Sequence, residues 1–195
     1  TELGFLDGDM FIISCQYDQS QVTANSTSIP VTLLSTPLCI DPKNNEGLTQ
    51  TKAEPTNPLY SLDKQQSSLV YYDKNTIVLT MPYWVKVTNS SVEDSELKKH
   101  SFVLSYDPTT MKDTDTKLKL YISHVVDDAG ETVTRSNFTY AYRAYSIRAA
   151  LTVFKEKTGK LPKYLELTAK TNSSKDELKE ESGETSVEYD YAFTE

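Results

Sequence analysis

The sequence predicts an all-β protein: a small N-terminal β part over residues 1–62, followed by an antiparallel β-sandwich over residues 63–195. Three observations carry this. The composition favours strands, with 13 Tyr, many Thr and only 6 Gly, because aromatic and β-branched side chains suit a pleated, half-buried surface. The apolar residues fall in short runs, several of them alternating. Turn residues punctuate these runs at a spacing that suits a sandwich better than a parallel α/β sheet.

The N-terminal part opens with Met10-Phe11-Ile12-Ile13-Ser14-Cys15 and continues with Ile29 to Ile40. The polar run from Asp18 to Ser28 between them reads as a hairpin loop. Pro30 and Pro37 confine the second segment to an edge strand or an irregular path, since proline cannot donate to a ladder. From Asp41 to Gln66 apolar residues are sparse and prolines frequent, which reads as a connection between domains.

The second part is more regular. Strands are expected at Leu69–Tyr72, Thr76–Met81, Trp84–Val87, Ser101–Tyr106 and Leu118–Ser123, with Pro82 breaking the second from the third. The stretch Thr88 to Lys99 is a polar, charged insertion. Alternation through Phe138, Tyr140, Tyr142 and Ala144 changes phase at Tyr145, Ile147, Ala149, Leu151 and Val153, as a β-bulge within a long strand would produce. An amphipathic helix using Ile147, Ala150, Leu151 and Phe154 is the rival; flanking β-branched and aromatic residues favour the strand. Two final strands, Tyr164–Ala169 and Val187–Phe193, flank a polar segment from Thr171 to Thr185, read as a long exposed hairpin loop.

Several functions are disfavoured. A formal charge of −8, with Arg135, Arg143 and Arg148 as the only arginines, argues against a nucleic-acid partner or adsorption to an anionic membrane. No run approaches the roughly 20 apolar residues of a membrane span. Neither a Gly-x-Ser-x-Gly elbow nor a phosphate-cradling loop is present. Cys15 and Cys39 lack any local signature of a catalytic thiol, and His100 and His124 read as exposed loop or strand-end residues. Two ordinary thiols and one inter-strand bridge are both open for the cysteines. No catalytic residue, cofactor or metal site is expected. The acids Asp107, Asp113 and Asp115, and Asp127, Asp128 and Glu131, lack the spacing of a calcium loop and read as solvated turn residues.

The aromatic residues are the remaining lead. Tyr71, Tyr72, Tyr83 and Trp84 cluster near the first strands of the sandwich, and Tyr140, Tyr142 and Tyr145 lie on a later one. Tyr83 and Trp84, beside Pro82, are the candidate binding pair: exposed, they would stack on sugar rings or anchor a protein partner. The competing reading places alternating aromatics in the core.

From Tyr71 onward the order of elements resembles the C-terminal sandwich domain of the NigD-like lipoproteins of Bacteroides and its relatives. The resemblance rests on Asp73-Lys74-Asn75-Thr76-Ile77-Val78-Leu79, His100-Ser101-Phe102-Val103-Leu104, and Leu118-Lys119-Leu120-Tyr121-Ile122-Ser123-His124 with its Asp127-Asp128 turn. It extends to the pairing of Tyr164-Leu165-Glu166-Leu167 with Val187-Glu188-Tyr189-Asp190-Tyr191. The family often has an Arg-His-Asn tripeptide after its Leu-x-Leu strand, where this chain reads Ile122-Ser123-His124-Val125. The resemblance implies an OB-like N-terminal domain and a cell-envelope lipoprotein, periplasmic or surface-exposed, whose lipid-bearing cysteine lies upstream of Thr1. With no catalytic motif in the chain, the reading is a non-catalytic binding or accessory module for an unknown protein or glycan. A bacteriocin-associated accessory or immunity role, and a pilin-like or adhesin subunit assembling by strand addition, are the alternatives.

Overall fold

The structure, a computed structural model, describes residues 10–40, 48–178 and 184–193. The chain divides into two compact units, Thr1–Asn44 and Asn45–Glu195. Leu59 and Leu62, assigned from sequence to the N-terminal domain, pack in the core of the second unit.

In the first unit, β1 (Met10–Ile12) pairs antiparallel with β4 (Leu38–Ile40), and β2 (Cys15–Gln16) pairs antiparallel with β3 (Thr32–Leu33). Among the described residues these are two short ribbons rather than an OB-like barrel. Within the predicted loop, Asp18 caps a 3-10 turn at Gln19–Gln21 by accepting from the Ser20 N–H. Cys15 and Cys39 carry free thiols.

Among the described residues the second unit contains two sheets. One has the order β5 (Ser68–Asp73), β6 (Thr76–Val85), β9 (Asn137–Ser146), antiparallel throughout. The other has the order β11 (Glu184–Asp190), β10 (Tyr164–Lys170), β8 (Lys117–Val126), β7 (His100–Ser105). Its pairs are antiparallel except β8 with β10, which are parallel. Alternation sends Ile77, Leu79, Met81, Tyr83 and Val85 from the first sheet, and Phe102, Leu104, Leu118, Leu120, Leu165 and Leu167 from the second, into one core.

Three sequence expectations are corrected. Residues Arg148–Thr158 form a helix, α2 (α1 is the short helix Asp94–Leu97), not a bulged strand. Strand β9 ends at Ser146, and the change of phase marks the switch of period from 2 to 3.6. Ala150, Leu151 and Phe154 are the buried helix residues, and Gly159, at φ 74°, closes it by donating to Lys155 O. A parallel β8–β10 pair needs such a crossover. Second, Pro82 does not break the strand: β6 runs through it, paired on one side with Tyr140. Strand β5 pairs only as far as Thr80, and beyond it Tyr60 N donates to Pro82 O, so that side needs no proline donor. Third, the polar insertion contains α1, which buries Glu96.

An aromatic strip above a buried charge cluster

Strand parity decides the fate of the predicted pair. Tyr83 points into the core and is 4% exposed; burial pushes its hydroxyl up to about 12. Trp84 lies on the outer face of the three-stranded sheet but is 5% exposed. Tyr60 and Phe138 cover it, and its indole N–H donates to Asn172 O at 2.8 Å. The expectation that Tyr83 and Trp84 form an exposed anchor is therefore corrected: one is core, and the other is the floor beneath other rings.

Those other rings are the exposed aromatics. Phe138, Tyr140 and Tyr142 project from the outer face of β9 opposite Trp84, Pro82 and Thr80; Val70, opposite Val78, lies on the same face of β5, and Tyr72 falls at the irregularity between Tyr71 and Asp73. Phe138, Tyr140, Val70 and Tyr72 are 42%, 40%, 59% and 70% exposed. Tyr60 stacks on Phe138 at 4.2 Å between ring centres and meets Trp84 edge-on at 5.0 Å. The result is an apolar and aromatic strip on a rigid sheet, seated on a buried indole.

Beneath one end of the sandwich is a feature that the sequence reading missed. His100 and His124 alternate with Phe102, Leu104, Leu120 and Ile122 on the inner face of β7 and β8, so both are buried rather than exposed. His124 Nδ1 lies 3.1 Å from Pro58 O, His124 Nε2 is 2.9 Å from His100 Nδ1, and His100 Nε2 is 3.3 Å from Glu96 Oε1. Arg135 donates to Glu96 at 2.7 Å, to Asp128 at 2.7 and 2.9 Å, and to Asp176 at 3.3 Å. The guanidinium is only 1% exposed and Asp176 only 4%. Asp128 is thus a paired residue, and the polar segment after β10 is not wholly solvated. Asp107, Asp115 and Asp127 bond to neighbouring backbone N–H groups in their turns. Among the described residues, no three His, Cys, Asp or Glu side chains gather as metal ligands.

The electrostatics follow from burial and pairing. Burial alone would raise Glu96, but Arg135, the Lys86 N–H and His100 hold its carboxyl below the usual range. Arg135 hydrogen bonds hold Asp128 low as well. Burial lowers His100 against the pull of Glu96, and burial with the neighbouring His100 pushes His124 down to about 3. Unfolded, both rings titrate near 6.5. Their folded values lie lower, so their contribution to stability is complete above 6.5 and is lost as the pH falls below it. Each proton bound by the unfolded chain but not by the folded one lowers stability by about 1.4 kcal/mol per pH unit. The urea midpoint is expected to drop between pH 7.5 and pH 5; an unchanged midpoint would contradict this assignment.

No protein-family model matches the chain, and no curated protein matches it. Two solved structures are similar. A candidate lipoprotein of Bacteroides fragilis NCTC 9343 is 29% identical, with a TM-score of 0.72 over 95% of this chain and 83% of that one. An uncharacterised protein of Parabacteroides merdae ATCC 43184 is 15% identical, with a TM-score of 0.57 over 97% of this chain and 84% of that one, a likeness of fold alone.

Proposed function

We infer that this chain is a cell-envelope lipoprotein of NigD-like character that acts as a non-catalytic binding module. The similarity to a Bacteroides fragilis candidate lipoprotein supports the envelope part of this reading. The observation that carries the binding part is the strip of Tyr60, Phe138 and Tyr140 on the outer face of one sheet. Contiguous exposed apolar surface marks interaction sites, and rings held rigidly on strands lose little entropy when they stack. The ligand that suits them presents flat C–H faces, as the sugar rings of a glycan do.

A glycan array followed by titration of the best ligand tests this. Phe138→Ala and Tyr140→Ala are each expected to weaken binding about tenfold or more, as for other aromatic anchors, with the fold retained. Binding that ignores both substitutions would remove the strip from the mechanism. Edge strand β5 exposes Val70 and Tyr72 and, among the described residues, has β6 as its one strand neighbour. Concentration-dependent self-assembly blocked by changes in β5, without glycan binding, would favour an adhesin-like subunit instead.

A further inference from the structure

The histidine pair presents a proton-counting problem. Pro58 O can only accept, and Glu96, ionised against Arg135, also accepts. Donation at both ends plus one hydrogen between the rings needs three ring protons, whereas two neutral imidazoles carry two. One contact must then go without. Placing two lone pairs face to face at 2.9 Å is the worst choice. The two ends therefore compete, and the carboxylate is the stronger acceptor. In the neutral pair the weaker contact, to Pro58 O, is the one forfeited.

That contact fastens a functional segment. His124 O accepts from Thr56 N and Asn57 N, and Asn57 Nδ2 donates to Asp176. Two residues beyond Pro58, Tyr60 enters the aromatic strip, its N–H on Pro82 O and its ring against Trp84 and Phe138. Burial holds both rings neutral near pH 7, and the acids beside His100 pull against it. Glu96 from α1, Asp128 from the β8–β9 connection and Asp176 after β10 are opposed by Arg135 and Lys99, which leaves one net negative charge. From the other sheet, the Tyr83 phenol is neutral and the Arg143 guanidinium lies over Phe102, across from the rings.

We propose that His100 and His124 form a single-proton latch: on acidification the pair takes up one proton, both end contacts are then made, and residues 56–60 fasten Tyr60 into the strip. His100 and His124 are positioning residues, acting on the strip through Pro58. The function of the latch rests on the binding reading, but its test needs no ligand, so the two fail separately.

The chain has two histidines and one tryptophan, so both reporters are unambiguous. Nitrogen-15 spectra of the unmodified protein, recorded from pH 8 down to the onset of acid unfolding, are expected to show both rings shifting together as one proton is taken up. Trp84 emission is expected to change with the same midpoint, and Tyr60→Leu is expected to abolish that change while leaving the histidine titration in place. Independent titration to two imidazolium ions would overturn the proposal, as would no uptake before acid unfolding. So would Trp84 emission that stays flat across the uptake, or an emission change that survives Tyr60→Leu.

Discussion

Arg135→Ala is expected to destabilise the second unit by about 3–5 kcal/mol, the cost of breaking a buried ion pair from one side. The guanidinium bonds Glu96, Asp128 and Asp176 together. Without it, Glu96 and Asp176 are left nearly dry, with Lys99 reaching only Asp128. Removing both charges does far less damage than removing one, because what costs energy is the uncompensated carboxylate. Arg135→Met combined with Glu96→Gln is therefore expected to recover part of the loss. Denaturant unfolding checks both variants, and a loss for Arg135→Ala no larger than that of an exposed arginine such as Arg148→Ala would show that the cluster is not load-sharing.

Phe154→Ala is expected to cost about 3–5 kcal/mol through the cavity it leaves. Phe154 is fully buried, on the face of α2 that carries Ala150 and Leu151. Its neighbour Val153 is only partly buried, and Glu156 is exposed. A helix makes Phe154→Ala severe, Val153→Ala mild and Glu156→Ala almost neutral. A strand would put Leu151 and Val153 on the buried face and Phe154 on the other, reversing the first two effects. Thermal or denaturant midpoints of the three variants separate these outcomes.

The strands were legible because their signal is local. Leu118, Leu120 and Ile122, or Leu165 and Leu167, alternate within a few residues, and each set is in the core. Helix α2 was less legible because Ile147 follows directly on Tyr145 of β9, so the end of one period and the start of another overlap. The aromatic strip was half legible: Tyr140 and Tyr142 could be named, but exposure depends on what covers a ring. Tyr60, from a segment read as a linker, is what covers Trp84.

The charge cluster was the least legible part, since Glu96, Arg135 and Asp176 are brought together only by the fold. A signal did exist. His100 sits in phase with Phe102 and Leu104, and His124 with Leu120 and Ile122, so alternation alone places both rings on the buried face. Buried histidines need partners, and a chain with only three arginines offers few guanidinium groups to complete such a cluster.

The parallel seam between β8 and β10 bears on how the chain reaches this fold. β7 and β8 are consecutive in the chain, but β10 can join β8 only after the chain has crossed to the other sheet as β9 and returned through α2. Closing that long excursion costs chain entropy before any contact repays it. The seam is thus expected to close late in folding, and until it does β8 leaves its backbone donors and acceptors unpaired along Lys117–Ile122. During synthesis, that edge is the surface on which a half-made chain would be captured by another copy or by a chaperone.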